Sequence, residues 1–255
     1  MKNKLYSFKN LLYRCTGLFA FIILWEAAPR LGWVRAIYLS PPTEVVKALV
    51  KIILNGELAP HALISLKRIF LGLFFAATVG VILGLFIGYF KRIEQSLDLL
   101  FQSFRQMSAF ALFPVFILFF GLGELPKVII IFWASLWPVL LNTISGVRDV
   151  DQVLIRSAKS MGATKSYIFL HIILPATTPQ IFTGIRLGGS YCVMAVVAAE
   201  MIGATSGLGY LVVYSQQTFK VAQMYASIVA LAILGITLNW VLQSFENFFS
   251  SWRRS

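Results

Sequence analysis

Residues 69–90, with the sequence IFLGLFFAATVGVILGLFIGYF, carry no charged side chain. About 20 consecutive apolar residues in a helix are enough to cross the hydrocarbon core of a bilayer. Residues 128–147 and 224–245 are equally poor in charge. The whole chain is 58% hydrophobic and only 13% charged, whereas soluble domains carry about 25% charged residues. The sequence therefore predicts a membrane protein that crosses the bilayer several times.

Three further stretches complete the expected set of spans. Residues 98–121 and 177–201 each contain a single arginine, Arg105 and Arg186, within an apolar run. The stretch near 13–32 follows a basic start, and with so many later spans it is interpreted as an uncleaved first helix rather than a secretory signal. The expected fold is all-α, with six transmembrane helices.

The distribution of lysine and arginine gives the orientation. More of these residues fall in cytoplasmic segments if both termini lie inside, which predicts an N-in, C-in topology. The long outer segment contains an amphipathic helix that follows Pro42 and lies on the outer surface. We expect residues 1–60 to form the first helix plus this outer helix, and residues 61–250 to form the main membrane domain.

A basic segment, RSAKSMGATKSYIFLHIILP at 156–175, interrupts the apolar runs. Asp149 or Asp151 can cap a short helix that Gly162 ends. Thr164 can cap a second helix that runs to Leu174. Composition alone is compatible with an ordinary interfacial loop whose charges are solvated.

The spacing within this segment resembles the EAA loop of binding-protein-dependent ATP-binding cassette permeases. That pattern is E-A-A, three residues, G, nine residues, I-x-L-P. The positions in register are Ala158, Gly162, Ile172, Leu174 and Pro175, while Arg156 and Ser157 replace the usual Glu and Ala. The stretches FALFPVFILFFGLGELPKVIIIFWASLWPVLLNT and VAAEMIGATSGLGYLVVYSQQTF are similar to the permeases for sulfonates, taurine, nitrate or bicarbonate.

This resemblance implies a type I importer permease fold in a bacterial-type cytoplasmic (inner) membrane. Residues 149–174 would form the cytoplasmic coupling loop that docks on an ATPase. The implied partners are two ATPase subunits, a second permease copy and an extracytoplasmic solute-binding protein. No P-loop motif occurs, so the chain itself is expected to hold no cofactor, and ATP with Mg²⁺ would bind the partner ATPases.

Polar residues within the spans are candidates for the translocation path, since intramembrane charges are functional by default. The assigned residues are Arg105, Gln106, Ser108, Asn142, Arg186, Ser190 and Glu200. Arg105 either contacts an anion or pairs with a carbonyl or Asp98, and Arg186 either faces the path or anchors helix packing. Glu200 either belongs to an outer gate or helps to receive a binding protein, or it is a carboxylate at the membrane–water interface. The two arginines favour an anionic solute.

Other function classes find less support. No nucleophile–base pair or H-E-x-x-H motif is present, so no catalytic residue is assigned, and His61 and His171 lack metal-ligand spacing. The net charge of +12 is scattered rather than gathered in a stripe, which argues against nucleic acid. The alternatives are a permease of the same family for a vitamin precursor or another neutral or aromatic solute, and an ion-coupled secondary transporter.

Overall fold

The computed structural model describes residues 16–17, 19–35 and 37–250, and their regular structure is helical throughout. The helices are α1 (residues 19–30), α2 (Pro42–Leu54), α3 (Leu58–Tyr89), α4 (Lys91–Gln106), α5 (Ala109–Phe120), α6 (Glu124–Arg148), α7 (Gln152–Ser160), α8 (Lys165–Ile168), a π-helical turn (Phe169–Ile173), α9 (Leu174–Met201), α10 (Leu208–Gln217) and α11 (Val221–Ser250). The expected first span near 13–32 lies partly outside the described residues.

Four helical stretches are long and apolar enough to cross a membrane. They are Leu58–Tyr89, Glu124–Arg148, Lys165–Met201 and Val221–Phe249. A fifth crossing is possible if α4 and α5 together form one broken span. The all-helical class and the multi-pass character are thus confirmed, with four to five candidate spans in the described part of the chain.

The expected continuous span over 98–121 is wrong. The chain bends by 92° between α4 and α5, where Met107 and Ser108 adopt extended backbone conformations. Helix α4 carries Lys91 and four further charged residues, so burying all of it in hydrocarbon would be costly. Helix α5 is apolar, but its 12 residues extend only about 18 Å, which is less than the hydrocarbon thickness.

Helix α6 lies at the centre of the bundle, between α3 and α9. A stripe of glycines on α3, at every fourth residue from Gly80 to Gly88, contacts β-branched side chains of α6. A Cβ atom at Gly84 would come within 2.6 Å of the Thr143 Cβ, and one at Gly88 within 2.9 Å of the Val147 Cβ. Residue numbers rise in both helices from one contact to the next, so α3 and α6 run parallel. The glycines let the two helices approach closely.

Helix α9 packs antiparallel on the other side of α6. A Cβ atom at Gly184 would lie 3.0 Å from the Asn142 Cβ, and one at Gly146 would lie 2.8 Å from the Thr177 Cγ2. These contacts define two ends of the bundle. One end holds the C-terminus of α6 with α7 and α8; it contains the predicted coupling loop, and we call it the coupling end. The opposite end holds Glu200.

The expected amphipathic helix is confirmed as α2 (Pro42–Leu54), which begins with proline in its first turn. Its buried face contains Val45 and Ile52, which share a cluster with Leu211 of α10 and Ala226 of α11. Val45 and Ile52 are seven residues apart, which is about two helical turns, so they lie on one stripe of α2, and the charged side chains of this helix are exposed.

Candidate functional site

The bend between α4 and α5 borders a cavity of about 390 Å³. Arg105, Gln106 and Ser108 line it from the bend, and Asn142 lines it from α6. Four of the seven residues assigned to the path by sequence are therefore brought together. We call this space the arginine cavity.

Aromatic side chains form much of its wall. Trp133 and Trp137 of α6 meet edge to face at 5.1 Å between ring centroids, and Tyr191 of α9 lines the same cavity. The two indole nitrogens are buried and have no hydrogen-bond acceptor among the described residues. A buried donor without a partner costs roughly 1–3 kcal/mol, so an acceptor that reached these groups would stabilise this wall.

The electrostatics of the cavity are set by one side chain. Arg105 is exposed and, within the part of the chain that the structure describes, is the only charged residue in the lining. Within the described part of the chain it makes no ion pair, so the alternative in which Asp98 neutralises it is not observed. The cavity therefore presents a net positive charge.

Arg186 and Ser190 do not line the arginine cavity. Arg186 Nε lies 2.5 Å from Glu246 Oε2 of α11, and Thr183 donates to the same carboxylate over 2.6 Å. Because α11 continues to Ser250, beyond the expected end at 245, the carboxylate at 246 belongs to a span. This contact between α9 and α11 agrees with the alternative in which Arg186 anchors helix packing.

Glu200 is at the opposite end of the bundle and is only 1% exposed. Its carboxylate accepts hydrogen bonds from Ser65 Oγ at 2.8 Å, from Arg68 Nη1 at 2.8 Å and from the backbone N–H of Gly209 at 2.9 Å. Arg68 also binds Glu124 with two nitrogens, each at 2.7 Å. This Arg68–Glu200 cluster connects α3, α6, α9 and α10.

Sequence reasoning missed Arg68 because this residue lies just before the charge-free run, at the end of the long outer segment. Its spacing indicates the face on which it lies. Arg68 precedes Gly72 by four residues and Gly80 by twelve, so all three lie on the same face of α3. That face packs against α6, so a long cationic side chain on it must be buried and must find carboxylates.

The basic segment folds largely as expected. Asp151 caps α7 by accepting from the N–H of Val153 at 2.8 Å, and Thr164 caps α8 by accepting from the N–H of Tyr167 at 3.3 Å. Gly162 has a φ of +81°, a conformation that glycine adopts without strain, and a Cβ atom there would meet no neighbour. Arg156 and Ser157 are exposed, whereas Ala158 is half-buried.

The helix after Thr164 does not stop at Leu174 as expected. It continues through the π-helical turn Phe169–Ile173 directly into α9, and Lys165–Met201 forms one long stretch. Pro175 has no N–H to donate to the preceding turn, and the wider turn directly before it accommodates this loss. Ile172, Leu174 and Pro175 are all half-buried at this junction.

The chain was compared with known families and proteins. Residues 76–255 match the model of the family described as "Binding-protein-dependent transport system inner membrane component". The chain belongs to this family.

Two relatives and one solved structure agree with the match. The putative aliphatic sulfonates transport permease protein SsuC of Bacillus subtilis is 33% identical, over 92% of this chain and 85% of the relative. The taurine transport system permease protein TauC of Escherichia coli is 31% identical, over 91% and 86%. A chain of the inward-facing MetNI methionine ABC transporter superposes with a TM-score of 0.65 at 17% identity, over 75% of this chain and 95% of that one.

Membership makes the chain a permease subunit of an ABC transporter, that is, a transport component and not an enzyme. A binding-protein-dependent system implies an ATPase and a solute-binding protein as partners, and the membrane as the environment. The likeness to the solved transporter shows that the permease shares its fold.

Proposed function

We propose that this permease carries a small organic or inorganic anion, of the sulfonate, taurine, nitrate or bicarbonate class, across a bacterial-type cytoplasmic membrane. The observation that carries the proposal is Arg105, an unpaired cation in a cavity whose lining contains no carboxylate. A positive charge without an ion-pair partner gains most from a negative ligand. The names of the sulfonate and taurine relatives agree with this choice.

The remaining lining residues suit such a cargo. Gln106, Ser108 and Asn142 offer neutral polar groups, and the Asn142 amide already donates to the Pro138 carbonyl at 2.7 Å. Trp133, Trp137 and Tyr191 provide apolar area for a short organic tail. The arginine cavity thus combines one charge with polar and apolar contacts.

The proposed assembly has two copies of this permease, two ATPase subunits that bind ATP and Mg²⁺, and an external solute-binding protein. Each copy would contribute six spans, counting the first span predicted near 13–32 and the broken α4–α5 pair. Both termini would lie in the cytoplasm. The coupling end would face the ATPases, and their closure would move α7 and drive alternating access.

A second cargo class is favoured by one observation. Three aromatic side chains line the arginine cavity, which also suits a neutral or aromatic solute such as a vitamin precursor. An ion-coupled secondary transporter is not supported, because the family to which the chain belongs works with binding proteins.

Replacement of Arg105 distinguishes these cargoes. In proteoliposomes containing the assembled transporter, we expect Arg105→Gln to lower uptake of a small sulfonate at least tenfold, because a hydrogen bond to a charged group is worth on the order of 1.5–3 kcal/mol. Basal ATPase activity and assembly should stay near wild type, and Arg92→Gln, an exposed arginine outside the cavity, is the control. Unchanged uptake by Arg105→Gln, or a neutral or cationic cognate ligand, would refute the anion path.

A further inference from the structure

A second cavity, of about 580 Å³, lies at the coupling end. It is bordered by the end of α3, the start of α4, the end of α6, and α7 with α8. Four cationic side chains line it, and they come from different elements: Lys91 from α4, Arg148 from α6, Lys159 from α7 and Lys165 from α8. We call this space the basic cavity.

Its positive charge is largely uncompensated. Glu94 is the only carboxylate in the lining, and it lies 3.6 Å from Arg148. The three lysines have no carboxylate within 4.0 Å among residues 16–17, 19–35 and 37–250. Three like charges around one space repel each other unless an anion lies between them.

The interior of the basic cavity is apolar. Val147, Ile168 and Ile173 line it and are at most 6% exposed. Two of the long apolar helices end beside it, α3 at Tyr89 and α6 at Arg148. The ends of such helices mark the level at which hydrocarbon gives way to lipid headgroups. The cavity therefore combines cationic side chains with an apolar wall, at the level of the lipid phosphate groups.

The cavity is on the side of α7 that faces away from the expected ATPase surface. Gln152, Ile155 and Lys159 line the cavity and share one face of α7, since they are three and four residues apart. At 100° per residue, Leu154 and Met161 fall on the other face, and they are 54% and 86% exposed. A partner docked on that exposed face would not cover the side chains of α7 that line the basic cavity.

We propose that the basic cavity binds the headgroup of an anionic phospholipid, with the phosphate among Lys91, Lys159 and Lys165 and the acyl chains along the apolar wall. Basic pockets between transmembrane helices on the cytoplasmic side bind such headgroups. A lipid held there connects α7 and α8 to the ends of α3 and α6, and so stabilises the segment that would transmit ATPase motion. The placement of this end at the cytoplasmic leaflet rests on the proposed function.

Thermal unfolding of the purified, delipidated full-length permease in detergent tests the proposal. Dioctanoyl phosphatidylglycerol should raise the unfolding temperature in a saturable manner, whereas dioctanoyl phosphatidylcholine and inorganic phosphate should not. The triple variant Lys91→Gln, Lys159→Gln, Lys165→Gln should weaken this binding, by about fivefold for each lysine. The matched control, Lys51→Gln, Lys67→Gln, Arg92→Gln, makes the same change in net charge at exposed positions outside the cavity.

Equal stabilisation by phosphatidylcholine, or an unweakened phosphatidylglycerol effect in the triple variant, would overturn the proposal. If inorganic phosphate alone raised the unfolding temperature, the cavity would bind a free anion instead of a lipid. If both triple variants lost phosphatidylglycerol binding equally, the effect would depend only on net charge. If the triple variant does not fold, the single variant Lys159→Gln must still show the fivefold loss. The measurement needs neither cargo nor ATPase, so its failure is separable from failure of the transport assay.

Discussion

Two arginines of this permease differ in how completely they are neutralised. Arg68 is 2% exposed and is held by two carboxylates and the carbonyl of Ser206, whereas Arg105 is exposed beside a cavity and unpaired. A buried charge must be satisfied inside the protein to be tolerated. The first arginine therefore has the environment of a structural residue, and the second has that of a residue free to meet a ligand.

Removal of the Glu200 charge tests the structural role of the Arg68–Glu200 cluster. We expect Glu200→Gln to lower the free energy of unfolding by about 3 kcal/mol, because it leaves part of a buried cation without its partner. The thermal unfolding temperature in detergent should fall by several degrees. Glu44→Gln removes an exposed carboxylate that pairs with Lys47, and it should change stability by less than about 1 kcal/mol. Equal effects of the two substitutions would contradict this role.

The same cluster restricts its neighbours. Gly207 has a φ of +115°, and a Cβ atom there would overlap the Glu200 carboxylate. Its N–H donates to His61 Nδ1 at 3.1 Å, so the loop before α10 is fixed to α3 at this point as well. His61 thus has a hydrogen-bonding role within the fold.

Among the elements, α7 divides its surface between the bundle and solvent. Ile155 and Ala158 pack in the apolar cluster around Val147 and Ile168, while Leu154 and Met161 face outward. Ala158 lies next to Leu154 around the helix axis, but it is half-buried. An exposed pair of large apolar side chains on a short polar helix suits a docking surface for a partner.

Charges on this outward face should prevent docking of the ATPase. The double variant Leu154→Glu, Met161→Glu would lose the burial of two apolar side chains, each worth about 1.5–3 kcal/mol. We expect the purified permease to stay folded but to retain less than a tenth of the ATPase in co-purification. Ser166→Glu adds a charge at an exposed position of α8 and should retain the ATPase. Wild-type recovery with the double variant would exclude α7 as the docking helix.

At the scale of the molecule, the orientation in the membrane decides which end can contact the ATPase and which can contact the solute-binding protein. The proposed N-in, C-in topology places Ser160 of α7 in the cytoplasm and Asn55, which follows α2, outside; both are exposed. Any orientation must keep these two residues on opposite sides, because α3 and α6 run parallel between them.

Labelling of single cysteines tests this topology. In a background lacking Cys15 and Cys192, Asn55→Cys should react with an impermeant maleimide in intact cells. Ser160→Cys should react only after the cells are permeabilised, and that second reaction is the control for accessibility. The reverse pattern would place the coupling end outside and would remove the basis for ATPase docking.

The sequence determined the membrane class, most of the helix positions and the family, since these depend on properties that are local in the chain. Charge-free runs such as 69–90 define spans because each charged residue placed in hydrocarbon has its own free-energy cost, whatever the rest of the fold. The spacing from Ala158 to Pro175 predicts the coupling segment, and the caps at Asp151 and Thr164 need only neighbouring backbone groups.

Only the tertiary structure decided which charges are paired and which helix is broken. Glu200 and Arg68 are 132 residues apart in the chain, and Arg186 and Glu246 also meet across two helices. No local pattern encodes such contacts, because they depend on how α3, α9 and α11 are placed around α6. The same packing left Arg105 without a carboxylate partner among the described residues, and it brought lysines from three separate elements around one apolar space.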